Sequence, residues 1–147
     1  MPIELPEKYP LVIAAATSTV FLNVYQYLNV RNHRRASGIK YPQLYAEQAE
    51  VAKNPLALKF NCAQRAHQNT LESISYVLMM GFVTGLKYPV TSASLLTAWI
   101  LGRVSYTYYY SKGDPTKRGF SLFNTALTGL MLTSVASAGQ LVYELYK

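Results

Sequence analysis

The sequence predicts an all-α integral membrane protein, a single domain over residues 1–147 built as a bundle of four helices. Three observations predict it. Half of the residues are apolar and only 14% are charged, where an average soluble chain carries about 25%. The charges leave uninterrupted runs at 10–30, 73–86, 88–102 and 119–143. The basic residues, finally, crowd beside these runs instead of spreading over a soluble face.

A bilayer core of about 30 Å takes about 20 mostly apolar helical residues. The first and fourth runs reach that length as they stand. The second and third reach it only if Glu72 and Arg103 lie inside the membrane, which makes those two residues the main clue to function. The predicted spans are 9–31, 62–86, 89–111 and 119–144.

The first span follows an acidic stretch, Ile3 to Lys8, with no basic region before the apolar run, so it is expected to stay in the mature chain and not to act as a cleaved leader. Its small and polar residues, Ala14 to Thr19 and then Asn23, Tyr25, Gln26 and Asn29, suit close helix packing in lipid. Of the fourteen Lys and Arg residues, seven fall between Arg31 and Arg65 and four between Arg103 and Arg118. Cytosolic connections carry such an excess, so the first and third connections are expected to face the cytosol and both termini the opposite side. Arg31, Arg34, Arg35 and Lys40 then suit anionic lipid head groups. The same placement excludes nucleic acid as a partner despite a net charge of +7.

The first connection, with Tyr41, Pro42 and Pro55, reads as an ordered or partly helical loop. The third is a short Lys-Gly-Asp-Pro-Thr-Lys-Arg turn that makes spans three and four antiparallel neighbours. Cys62 is the single cysteine, which rules out an internal disulfide or a cysteine metal cluster. His33 and His67 do not form a ligand spacing, so no metal is expected.

Arg65, Gln68, Asn69, Glu72 and Tyr76 are spaced by three and four and fall on one helix stripe. Arg103, Tyr106 and Tyr110 form a second stripe on the third span. If the two spans turn about Lys87 and Tyr88, Glu72 lies level with Arg103, Asn69 with Tyr106, and Arg65 with Tyr110. One reading is structural, since an unpaired charge in a membrane costs about 3 kcal/mol or more and Glu72 and Arg103 would neutralise each other. That pairing leaves Arg65 over, because Glu72 is seven residues away, about 10 Å along the axis. The surplus positive charge and the donors around it point to a hydrophilic ligand bearing carboxylates.

The run Phe60-Asn61-Cys62-Ala63-Gln64-Arg65-Ala66-His67-Gln68-Asn69-Thr70-Leu71-Glu72 resembles the signature of the MAPEG family of membrane glutathione transferases, and within it the microsomal glutathione S-transferase 3 type. Further likeness lies in Lys40-Tyr41-Pro42 with Tyr45, in Trp99-Ile100 with Gly102-Arg103-Val104 and Tyr106, and in Pro115-Thr116-Lys117-Arg118. The resemblance implies a homotrimer with glutathione held near the cytosolic surface at each subunit boundary. It implies glutathione contacts at Arg34, Arg65, Asn69, Glu72, Arg103, Tyr106 and Tyr110, with Arg35 beside Arg34 and with His67 replacing a glutamine that some relatives use.

The family's thiolate-stabilising arginine falls at the start of the fourth span. Ungapped alignment from Tyr110 delivers Lys117 there, and one extra loop residue delivers Arg118. Arg118 is the expected catalytic residue, because a guanidinium stays charged and holds an anion more rigidly than an ammonium. The implied reactions are conjugation of apolar electrophiles and reduction of lipid hydroperoxides, with leukotriene formation where the substrate exists. The implied residence is the endoplasmic reticulum membrane, with the mitochondrial outer membrane second. The alternative is a non-enzymatic lipid-binding or structural membrane subunit of the same fold.

Overall fold

A computed structural model describes residues 4–119 and 122–147, and six helices occur among the described residues. They are α1 (Tyr9–Thr17), α2 (Thr19–Ser37), α3 (Gln48–Lys53), α4 (Pro55–Gly85), α5 (Pro89–Tyr110) and α6 (Leu122–Leu145). No strand occurs among the described residues. Two helical stretches there, Tyr9–Ser37 and Leu122–Leu145, are long and apolar enough to cross a membrane. These are the two runs whose length needed no help from a charged residue.

Prolines set the helix starts. Pro10 sits in the first turn of α1, and Pro55 and Pro89 open α4 and α5, where the missing N–H has no intrahelical partner to lose. Asn54 adds a cap, its Oδ1 accepting the Leu56 N–H at 3.0 Å. The helix that was expected to start at residue 62 therefore starts at Pro55. The first span is helical to Ser37, well past residue 31, and α2 stops where Gly38 adopts φ +75°, which lets its N–H return to the Arg34 carbonyl at 3.1 Å. The predicted partly helical connection contains one short helix, α3, whose start is held by the Glu50 carboxylate accepting the Glu47 N–H at 2.7 Å. Positions 120 and 121 of the expected fourth span lie outside the described residues, and α6 is described from Leu122.

Packing divides the chain into two units. The first comprises 4–19, 73–101 and 122–147, and it is held by small residues and hydroxyls. A Cβ on Gly81 would stand 2.8 Å from Leu96 Cδ1, so the bare backbone is what lets α4 and α5 close here. Ser92 Oγ donates to the Gly81 carbonyl at 2.6 Å, and Thr84 and Thr133 hydroxyls meet at 3.2 Å. Close approach and hydrogen bonds of this kind join helices where lipid offers no hydrophobic drive.

The second unit comprises 20–72 and 102–119. Its apolar centre is Val30, Ile39, Ala46, Ala57, Phe60 and Ala63, with Val51 against it. Gln26, fully buried, donates through Nε2 to Thr70 Oγ1 at 2.8 Å and Thr107 Oγ1 at 2.7 Å, and this tripod ties α2, α4 and α5 together. Asn61 clasps the loop after α2 from both sides, accepting from the Ala46 N–H at 2.7 Å and donating to the Ala46 carbonyl at 2.9 Å.

Candidate functional site

All of the sequence-predicted site residues belong to the second unit. Helical periodicity puts Arg65, Gln68, Asn69 and Glu72 along one face of α4, and the Gln26 tripod fixes the depth of that face against the end of α5 through the neighbours of Asn69 and Tyr106.

Arg103 is 3% exposed, and its Nη1 donates to Asn69 Oδ1 at 2.6 Å. Its guanidinium carbon lies 5.5 Å from the centre of the Tyr106 ring. Tyr106 in turn stacks on Tyr110, with centroids 5.1 Å apart and planes at 24°. Arg65 Nη1 meets Glu72 Oε1 at 2.8 Å, in a pair whose side chains are 45% and 48% exposed.

This corrects the partners expected from equal depth. Glu72 pairs with Arg65 and not with Arg103, and Asn69, not Glu72, takes Arg103. The physical reason is reach. Seven residues is almost two full turns, so Arg65 and Glu72 share a face, and two long side chains extended toward each other close the axial gap. Arg103 likewise reaches one turn along α4 from its expected level.

The consequence is a graded cluster. A buried cation held by a neutral amide sits beside a half-exposed ion pair that can exchange partners with a ligand. Arg65, Arg103 and Glu72 together carry one net positive charge, which suits a ligand of net negative charge.

Arg34 and His67 lie elsewhere. His67 is two residues from Arg65, about 200° around the helix, and so it faces away from the stripe. With Arg31, Arg34, Tyr41 and Gln64 it lines a pocket of about 230 Å³. Arg34 is 7% exposed. It is sandwiched 4.2 Å from the Tyr41 ring and 4.4 Å from the Phe60 ring, and its Nη1 donates to the Gln43 carbonyl at 2.8 Å. Arg35, on the outer side of α2, is exposed.

The loop carrying Lys117 and Arg118 is organised by Asp114. Asp114 Oδ1 accepts from the Thr116 hydroxyl at 2.6 Å and from the Thr116 N–H at 3.0 Å, and Oδ2 lies 3.4 Å from Lys117 Nζ. These contacts, the Thr116 hydroxyl foremost, hold the Asp114 carboxyl below its ordinary range. Arg118 is exposed, with Nε donating to the Pro115 carbonyl at 3.4 Å. The next residue, Gly119, lies against Ser105 and Tyr109 of α5, which brings Arg118 alongside the end of that helix.

Sequence reasoning gave no role to Tyr45, whose hydroxyl donates to Gln68 Oε1 at 2.6 Å. The available signal was its position in a loop whose neighbouring residues resemble those of the family. Cys62 is buried and free. No cluster of three or more His, Cys, Asp or Glu residues that could hold a metal ion occurs among the described residues.

The sequence model of the MAPEG family fits residues 12–138. The matched segment contains the whole α4 and α5 cluster, the Arg34 pocket and the loop through Arg118.

Proposed function

The chain belongs to the MAPEG family, and on that footing we propose that it is a membrane glutathione transferase of the microsomal glutathione S-transferase 3 type, with glutathione-dependent peroxidase activity. Family membership is consistent with glutathione chemistry at a membrane. The observation that carries the reading here is the graded cluster itself, in which Arg103 on Asn69 and Arg65 on Glu72 provide the charges that glutathione's two carboxylates and ammonium require. Glu72 accepts the ammonium, and Arg65 is released to a carboxylate.

In this reading four helices cross the membrane, the polar pairs letting α4 and α5 do so beside the two apolar spans. Three copies assemble, and glutathione lies between neighbours in the endoplasmic reticulum membrane near its cytosolic face. The arrangement accounts for the separation of Arg34 and His67 from the stripe, since one copy's pocket would face the next copy's Arg65 and Tyr110.

The chemistry requires a thiolate, because a free thiol with a pKa near 8.5 is mostly protonated at neutral pH. Arg118 stabilises the anion as a fixed positive donor, while Lys117 stays with Asp114. In conjugation the sulfur forms a bond to the electrophilic carbon, and the leaving group departs with its electron pair. In peroxide reduction the sulfur takes one peroxide oxygen, giving a sulfenic acid and an alkoxide that collects a proton. A second glutathione then displaces that oxygen as water and leaves the disulfide. An apolar acceptor reaches the sulfur from the bilayer side.

The test is turnover by the full chain in detergent micelles with 1-chloro-2,4-dinitrobenzene and, separately, a fatty-acid hydroperoxide. Glutathione-dependent product with either acceptor, reduced at least about tenfold in Arg118→Ala, is the expected result. Glutathione binding without turnover of any acceptor would favour the non-enzymatic lipid-binding alternative.

A further inference from the structure

We propose, on the footing of the glutathione reading above, that Gly119 is a positioning residue for thiolate formation, acting through Arg118. Arg118 lies in the third connection and is exposed, so burial of its own side chain does not fix where it points.

Its backbone is fixed on both sides instead. Before it, the Asp114 turn is closed by the Lys117 N–H donating to the Asp114 carbonyl at 3.1 Å and by the two bonds from Thr116 to the Asp114 carboxylate. After it, Gly119 adopts φ +65° and lies very close to α5. A Cβ there would stand 2.7 Å from Ser105 Oγ, 2.9 Å from Tyr109 Cδ2 and 3.2 Å from the Ser105 carbonyl oxygen. Only glycine meets both demands, since it takes that φ without penalty and carries no side chain to hold the backbone off.

The surface it meets has little room to give. The Ser105 hydroxyl can turn away, but the Ser105 carbonyl belongs to the helix backbone, and Cδ2 lies near the root of the Tyr109 side chain. The Tyr109 ring is flanked by Tyr108, edge-on at 5.2 Å, and by Lys112, whose Nζ is 5.2 Å from its centre. An added methyl group therefore moves Gly119 and not the helix.

Ser105 and Tyr109 are four residues apart and share one face of α5. Tyr106 and Tyr110 each follow by one residue, about 100° around the helix. The backbone next to Arg118 is thus docked one face over from the stripe that the proposed function gives to glutathione. Misplacing a catalytic group by about 1 Å can cost a reaction about a hundredfold, so the missing Cβ bears on the chemistry as well as on the fold.

The experiment follows the pH dependence of the glutathione thiolate band, by ultraviolet difference absorbance, in the full chain and in Gly119→Ala, Gly119→Asn, Arg118→Ala and the double variant of Gly119→Ala with Arg118→Ala. Affinity for S-methylglutathione, which has no thiol to ionise, is measured calorimetrically alongside. Moving a positive group away from the sulfur raises the thiol's pKa. Gly119→Ala is expected to raise the midpoint by about one pH unit, a loss of thiolate of about tenfold at neutral pH, with S-methylglutathione affinity unchanged. Gly119→Asn should match it, because asparagine tolerates the positive φ but brings the same Cβ. The double variant should lie no higher than Arg118→Ala alone, because two residues acting through one group do not add. An unmoved midpoint in Gly119→Ala overturns the inference, as does a parent-like midpoint in Gly119→Asn or a double variant well above Arg118→Ala. Loss of S-methylglutathione binding in step with the thiolate would mark a merely structural glycine and overturns it too. No thiolate band in the parent would remove the glutathione reading beneath it, and the inference with it.

Discussion

Arg103 and Asn69 are joined at 2.6 Å in a setting where the guanidinium is 3% exposed, so a buried cation is held by a neutral side chain while the carboxylate nearest in sequence, Glu72, serves Arg65. The arrangement keeps Glu72 near the surface, where a ligand can reach it. Under the proposed function, Asn69 would both hold Arg103 and meet the ligand.

Asn69→Ala is therefore expected to cost stability as well as glutathione affinity. Removing the acceptor from a charged, buried donor costs about 1.5–3 kcal/mol, to be read as a lower unfolding temperature in detergent. Asn69→Asp keeps an acceptor in place and should retain most of the stability.

The tripod at Gln26 gives a second expectation. Gln26→Leu removes both donors from Thr70 and Thr107 but leaves their own bonds to the Ala66 and Arg103 carbonyls. Interhelical hydrogen bonds in membranes average about 0.6 kcal/mol, so a loss of about 1 kcal/mol is predicted. Thermal unfolding measures it, and hydrogen exchange should place the loosening around the α2 segment near Gln26.

Gly81→Val is expected to destabilise more than Gly81→Ala. The alanine Cβ already meets the Leu96 side chain at 2.8–3.0 Å and forces that buried residue to shift, whereas a branched residue adds further bulk and pushes the helices apart, at a cost of about 1–3 kcal/mol. Comparing the unfolding temperatures of the two variants checks the order.

The stripe on α4 was legible because spacings of three and four survive in any straight helix, and charged residues in apolar runs mark themselves. The tyrosines of α5 were legible for the same reason. The partners were not, because sequence spacing gives axial level and side-chain reach does not follow from it. Arg65 and Glu72 cover two turns, and Arg103 passes its own level to find Asn69. Tyr45 was out of reach because its loop position is fixed by Asn61, a contact between residues with no shared periodicity. The separation of His67 from Arg65 was available in principle, since two residues turn a helix through about 200°.

The Asp114 turn carries a pH expectation. Its folded-state carboxyl titrates below the unfolded value, so its contribution to loop order is fully present above the ordinary carboxylate range and is lost only as pH falls through the depressed folded value. Exchange of the Thr116 amide should stay slow down through that ordinary range, and Asp114→Ala should make it fast at every pH.

A chain that turns glutathione into a thiolate shows it in the ultraviolet difference absorbance of the purified full chain with saturating glutathione. A thiolate band at neutral pH is expected, lost in Arg118→Ala and kept in Lys117→Ala. No thiolate band in the parent chain at saturating glutathione would contradict it.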